Sequence, residues 1–431
     1  MKKVFMAVFL LTTGLLTAQK YVLDSIAPLY GHLIKREANY LKFADESPYF
    51  NYFFSQMDSV FEGKNRKIHI FHIGGSHIQA DVYSNKVRTY LQNTNEVSTA
   101  QRGFIFPYQL AKTNNPSNYR ITANRDLWTG YRSSVTKDSI AWGLSGVTAA
   151  FRQIADTVYI KANHKTDIKN PYHFDKLRIF YNTWQDDYHI NIMDSSLVVS
   201  DSINYETFYR EFHFNTTLDS IAVTLHKKDT INDKAEFLLM GIELMNSNPG
   251  IEYTSIGVNG GSFAFYNRSA FFEKQLQLYR PDMFIISIGT NDGYMPKSEF
   301  KEDIFEAYYE SFIQMILRIN PQCAILLTVP NDVYYKKKYA NSNTRRQQEV
   351  IYRLAQKYQM AVWDFYEIMG GLGSSNQWYR NKLMLSDRIH FTNLGYQIKG
   401  DLLLEALIDG WAKSVGRDKE ILLQHYKGLN E

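Results

Sequence analysis

A chain of 431 residues with 45% hydrophobic and 21% charged side chains has the make-up of an ordinary globular protein, which excludes a disordered one and makes two domains the natural expectation. The formal net charge is +4, and the only basic runs, Lys336–Lys338 and Arg345–Arg346, read as a solvated loop and a helix start, so nucleic acid is excluded as a partner. Aromatics reach 15%, a supply of rings that serves either a core or platforms for sugars.

Residues 1–18 read as a secretory signal: Lys2 and Lys3, an apolar run over 4–16, and the small-residue ending Leu16-Thr17-Ala18. The run is short for a membrane span, with a retained anchor as the alternative. The only cysteine, Cys323, lies far away in the apolar stretch CAILLTV. This excludes lipid attachment at the leader and any intrachain disulfide, and Cys323 reads as buried strand packing. The expected location is a bacterial periplasm or the outside of the cell, with no stable membrane span in the mature chain. Residues 20–66 read as helical, with Phe50, Phe53, Phe54, Met57, Val60 and Phe61 on one amphipathic face.

The stretch that organises the chain is IHIFHIGGSHIQAD, residues 68–81. Ile68, Ile70, Phe71 and Ile73 make a short apolar strand, Gly74 and Gly75 break it, and a helical pattern starts at once after Ser76. A strand turning sharply into a helix places Ser76 at the carboxyl edge of a sheet, beside free backbone N–H groups. Taken alone, the stretch equally fits Ser76 as a helix N-cap. From about 115 to 248 short alternating runs such as LRIFYNTW and SIAVTLHK, separated by Asn, Asp, Ser and Lys turns, predict an inserted antiparallel β-sandwich. Beyond residue 250 strands are expected at 253–257, 283–288, 324–329 and 360–365. Helices are expected at 263–279, 297–319, 344–358 and 393–411. With the organising strand, the fold class is α/β: a five-stranded, parallel, doubly wound, flavodoxin-like sheet. The domain reading is a sheet domain over 19–114 and 249–431 interrupted by the β-insertion at 115–248.

Three more polar, glycine-bearing turns fall just past these strands: GVNGGSF, SIGTNDGY and SDRIHFTNLGY. Four such turns on one sheet edge suit ester hydrolysis. Ser76 is a nucleophile once a base takes its proton, and His390 is that base, an imidazole with a reference pKa near 6.5. Asp387, three residues earlier, orients the ring. The oxyanion of the attack needs fixed donors, and the Ser76 N–H, the Gly260 N–H and the Asn291 amide are the candidates. The plainer alternatives are an Asn-Asp turn at Asn291, a simple turn at Gly260, and a helix start capped by Thr392 with Asp387 in a surface turn. Asp292 reads as structural, as do His72 and His77. The scattered histidines have no metal-ligand spacing, so no metal and no cofactor is expected. Tyr181 and Trp184 read as sandwich core, with sugar stacking as the alternative.

These four blocks resemble those of the SGNH hydrolases, the GDSL esterase/lipase family. Ser76 in GGSH, Gly260 in GVNGG, Asn291 in GTND and His390 in DRIH match the Ser, Gly, Asn and His that name the family, in order, and Asp387 keeps the D-x-x-H spacing. The match covers roughly half the chain. One departure is Gly75, where the family usually has Asp; it bears on oxyanion geometry, and Gly261 is the alternative donor to Gly260. The histidine after the serine, the long insertion and the leader resemble peptidoglycan O-acetylesterases, whose inserted β-sandwich resembles a carbohydrate-binding module. The resemblance implies a serine esterase removing acetyl groups from cell-wall glycan, with an acetylated glycan as its partner and no cofactor. The alternatives are another acetylated polysaccharide, sialic acid or a lipid ester as substrate, an O-acetyltransferase, or a glycan-binding surface protein with an inactive hydrolase domain.

Overall fold

The computed structural model describes residues 29–92, 98–137, 140–165 and 171–428. The leader read at 1–18 lies outside them, as does the start of the segment read as helical. Among its described residues Gly31–Leu33 and Arg36–Ala38 are single 3-10 turns, and α1 (Pro48–Phe61) is a full helix. The reason lies in the backbone. Lys35 N–H donates to Ile368 O, and Lys42 exchanges both its hydrogen bonds with Val362, so this stretch is tied to the edge of a sheet instead of winding on itself. In α1 the proline sits at the first turn, where its missing N–H is no loss, and Phe50, Phe53, Phe54, Met57 and Val60 line the buried face.

β1 (Lys67–Gly74) runs through Gly75 into the single-turn α2 (Ser76–Gln79) and on to α3 (Tyr83–Gln92). It is joined by β2 (Gly250–Gly257), β3 (Met283–Ser287), β4 (Ala324–Val329) and β5 (Ala361–Asp364) in one parallel sheet of order β2-β1-β3-β4-β5. The α/β expectation holds. The strand order changes direction beside β1, so the crevice at its carboxyl end is where such sheets take ligands. Side chains alternate across the sheet: Ile68 and Ile70 join Met283, Ile285 and Leu326 on one face, while Phe71 and Ile73 join Phe284, Ile286 and Leu327 on the other. The first face packs against α1, α3 and a long C-terminal helix; the second packs against α4 (Glu302–Ile319), α5 (Asn343–Tyr358) and the inserted segment. The long helix is α6 (Asn393–Val415), closed by Gly416 in the left-handed conformation (φ 70°). A further helix, Lys419–Gly428, follows where none was expected.

The helix expected over 263–279 is instead two short ones, Phe263–Asn267 and Phe272–Leu276. A loop of the insertion docks at the break: Arg268 donates to the carbonyls of Ser133 and Thr136, and Phe271 N–H donates to Trp142 O. The Phe271 N–H is thereby taken out of the helical ladder, and the Arg268 side chain anchors the docked loop beside it.

The inserted segment forms a seven-stranded and a four-stranded sheet, all its pairings antiparallel. Val158, Ile160, Val223 and Leu225 of the smaller sheet face Ile179, Phe237, Leu239 and Ile242 of the larger across a shared apolar interior. The larger sheet already includes Gly103–Ile105, ahead of the boundary read at 115, because Phe104 lies over Gly241, where a Cβ would come 2.2 Å from its ring. The sandwich interior is continuous with one face of the parallel sheet: Phe71, Ile73, Phe284 and Ile325 belong to the same buried cluster as Phe237 and Ile242. Among the described residues no helix is long and apolar enough to cross a membrane.

Candidate active site

β1 ends at Gly74, and Gly75 turns the chain into α2 with Ser76 as its first residue. The Ser76 side chain makes no cap bond at this helix start; Gly75 holds the N-cap position. Tyr266 Oη donates to Gly74 O at 2.8 Å and Tyr108 Oη donates to Gly257 O at 2.9 Å, so buried tyrosines hold both strands that meet at the turn. Gly257 lies directly under it: a Cβ there would come 2.1 Å from Gln79 N and 2.6 Å from Gly75 O.

Ser76 Oγ is 2.8 Å from His390 Nε2, and His390 Nδ1 is 2.7 Å from Asp387 Oδ2. These residues come from opposite ends of the chain, so the sheet edge brings together three of the sequence-selected positions in one relay. The loop before α6 shapes the second half of it. Leu385 N–H donates to His390 O at 2.8 Å, and Arg388 sits at a positive φ of 55° between the acid and the imidazole. Thr392 does cap α6, accepting from Gly395 N–H at 3.3 Å, and Asp387 still faces the His390 ring. Burial by itself would raise the Asp387 carboxyl, but the His390 ring and the N–H groups of Ile389 and His390 outweigh it and hold the carboxyl well below the usual range.

Gly260 and Asn291 stand on the same cavity, of about 570 Å³, as Ser76 and His390. Gly260 has a positive φ of 80°, which glycine adopts without strain. The neighbouring Gly261 N–H is committed to Val258 O at 2.7 Å. Asn291 lies in the turn Thr290–Gly293, started by Gly289 at φ 138° and clamped by Gln347 Nε2 on Gly289 O at 2.7 Å. One of its amide hydrogens goes to Gly261 O at 2.9 Å, which leaves the second available. At Gly75 an added Cβ would stand 3.2 Å from Asn291 Nδ2, so the missing side chain lets that amide pack against the turn.

The other histidines sort by burial. His72 is enclosed between Tyr253 Oη (2.5 Å) and Ser287 Oγ (2.7 Å), and burial pushes it down to about 3. His77 is bonded through Nδ1 to Tyr396 Oη at 2.9 Å, and burial, with Lys399 nearby, keeps it neutral. Tyr181 is buried against Phe237; Trp184 is half-exposed and packs on Phe208 and Phe271; neither lines the cavity.

Sequence reading missed part of the wall. Asn114, Asn115 and Asn259 line it, and Ser134 Oγ of the insertion donates to Asn259 O at 2.6 Å, bracing the Gly260 loop. No local pattern announces these contacts, because they depend on how the insertion docks. Lys399 was missed too. It is buried under the site with its ammonium 4.4 Å from the Phe365 ring centre and 5.0 Å from that of Tyr83, and burial pushes it down to about 7.

Asp292 accepts from Phe263 N–H at 3.1 Å, and burial pushes its carboxyl up to about 7. The folded state therefore holds its proton more tightly than the unfolded chain. Stability falls as pH rises from the ordinary value near 3.8 to about 7 and is flat above. Asp292→Asn keeps the acceptor and removes the charge. Calorimetry is expected to show its Tm above wild type by about 5 °C at pH 8, with little difference at pH 4.

Residues 243–398 match the model of the GDSL-like lipase/acylhydrolase family, a span that contains Gly260, Asn291, Asp387 and His390 but not Ser76. Among solved structures, a peptidoglycan O-acetylesterase overlays with a TM-score of 0.67 at 18% identity, covering 86% of this chain and 97% of that one. An acetyl xylan esterase gives a TM-score of 0.29 at 21% identity, over 36% of this chain and 79% of its own. A GDSL-like lipase from Bacteroides thetaiotaomicron gives 0.28 at 18% identity, over 36% and 74%. No curated protein matches the chain in sequence.

Proposed function

The chain carries a GDSL-like acylhydrolase domain and belongs to the SGNH carboxylic ester hydrolases, and from that premise we propose that it is a secreted serine esterase removing O-acetyl groups from cell-wall glycan. The observation that carries the mechanism is the relay Ser76 Oγ–His390 Nε2 at 2.8 Å and His390 Nδ1–Asp387 at 2.7 Å, opening on a cavity walled by Gly260 and Asn291. Ser76 Oγ attacks the acetyl carbonyl while His390 Nε2 takes its proton. Asp387, held as a carboxylate, keeps Nδ1 protonated and steadies the imidazolium. The negative oxygen is met by the N–H groups of Ser76 and Gly260 and by the second amide hydrogen of Asn291. Gly260 serves, not Gly261, whose N–H is already used. The C–O bond to the sugar breaks, His390 returns the proton to the leaving oxygen, and Ser76 is left acetylated. Water, deprotonated by His390, then releases acetate and restores the serine.

The glycan part of the reading is supported by the overlay on the peptidoglycan O-acetylesterase, which spans nearly all of that chain, and by the leader-like residues 1–18. Acetate release from acetylated peptidoglycan, acetylated xylan and nitrophenyl acetate tests it. Peptidoglycan is expected to turn over fastest among the polymers, and release from the small ester alone would sink the substrate assignment.

Gly75 supplies a finer test of the oxyanion site. Gly75→Ala pushes on Asn291 Nδ2 across 3.2 Å. On nitrophenyl acetate, kcat is expected to fall about tenfold with KM little changed, less than the roughly 100- to 1,000-fold loss of a donor removed outright.

A further inference from the structure

Tyr294 lines the cavity with Ser76, and its ring starts a row that leaves it. Tyr335 stands 5.1 Å from Tyr294 between ring centres, and Tyr339 stands 5.7 Å from Tyr335. Tyr335 and Tyr339 pair across a two-stranded hairpin, Tyr334–Tyr335 with Tyr339–Ala340. The hairpin is fixed to the site at two points. Lys336 N–H donates to Tyr294 Oη at 2.9 Å, and Arg388, next to Asp387, lays its guanidinium 4.5 Å from the Tyr334 ring centre. The hairpin's turn is Lys336-Lys337-Lys338, all exposed, with Lys336 and Lys337 at positive φ of 50° and 61°. Among the described residues no carboxylate pairs with these three ammonium groups. Three adjacent cations with no carboxylate partner among the described residues, Lys336 lying 5.2 Å from the Tyr335 ring centre, are a local concentration of charge at the mouth of the site in a chain of net charge only +4.

We propose that this hairpin is a docking surface for an anionic, carboxylate-bearing glycan strand: the strand runs from Ser76 over Tyr294, Tyr335 and Tyr339 while Lys336–Lys338 meet its carboxylates. The proposal rests on the glycan reading above and adds the charge of the polymer. The C–H faces of pyranose rings lie on tyrosine rings, and the Tyr294 hydroxyl stays paired with the Lys336 N–H. The lysines are mobile point charges that follow carboxylates spaced along a strand without demanding one geometry. A neutral polymer uses the rings and gains nothing from the turn.

The test compares the full-length wild type with K336Q/K337Q/K338Q and, separately, Tyr339→Ser, on acetylated peptidoglycan, acetylated xylan and nitrophenyl acetate. The triple variant is expected to lose about tenfold in kcat/KM on peptidoglycan at low salt, as three weak surface contacts combined. The difference should vanish near ~1 M salt, where such contacts are screened. Xylan and nitrophenyl acetate are expected to be unaffected by the triple variant, and Tyr339→Ser to slow both polymers but not the small ester. Unchanged turnover of peptidoglycan by both variants overturns the docking surface and leaves the esterase reading standing. Equal losses on all three substrates overturn it as well, because docking acts on polymer alone. A wild type active only on nitrophenyl acetate overturns the glycan reading and the surface together.

Discussion

Ser76→Ala is expected to lower kcat for acetyl ester hydrolysis by about 10,000- to 1,000,000-fold while leaving KM within about threefold. The substitution removes one hydroxyl whose hydrogen bond is to His390, and the helix start that follows does not use it as a cap. Folding should therefore be untouched, and the melting temperature serves as the control. Acetate release gives the rate, and mass spectrometry of the quenched wild type should show one added acetyl group that the variant lacks. Activity of the variant within tenfold of wild type would remove Ser76 from the chemistry. It would also revive the reading of a glycan-binding protein whose hydrolase domain is idle.

Gly257→Ala carries the second large effect, and it acts through the backbone. A Cβ at this position would come 2.1 Å from Gln79 N, 2.6 Å from Gly75 O and 2.7 Å from Gln79 Cα. All three are main-chain atoms of the turn around Ser76, so no rotamer change relieves the clash. Either β2 or the turn must move, and Tyr108, bonded to Gly257 O, resists the first. A destabilisation of about 3 kcal/mol is expected, at the upper end of overpacking effects. In a chain of 431 residues, whose unfolding entropy is large, it should read as a fall in Tm of roughly 3–4 °C. What remains folded should also be slow on nitrophenyl acetate, because a shift in the turn takes Ser76 Oγ out of the 2.8 Å contact with His390. A Tm within about 1 °C of wild type would show that the turn yields more easily than its contacts imply.

Much of this architecture is legible in the chain because its signals are local and repeated. The apolar runs at Ile68–Ile73 and 324–329 have strand length and end on glycine or polar turns, and parallel order follows from the helices between them. The candidate site is legible for a related reason. Ser76, Gly260 and Asn291 each sit just past a strand, where a parallel sheet gathers its loops, whereas His390 follows two short helices, Phe365–Ile368 and Ser374–Arg380, and stands just ahead of α6. What the chain does not spell out is decided by long-range docking. The continuous helix read over 263–279 has the right periodicity, yet the insertion takes up its backbone bonds at Phe271 and its Arg268 side chain. The stretch near Lys42 looks helical by composition and is held extended by Val362. Asn114, Asn115 and Ser134 carry no motif at all; Asn114 and Asn115 reach the cavity, and Ser134 braces its Asn259 wall, because the sandwich rests against the sheet edge.

One buried cluster runs from Phe71 and Phe284 of the parallel sheet to Phe237 and Ile242 of the sandwich without a polar break. Neither half can lose its partner and keep its own interior dry. The molecule should therefore melt in a single cooperative transition. Loss of the insertion would leave the part of that face not covered by α4 and α5 in need of a new apolar cover.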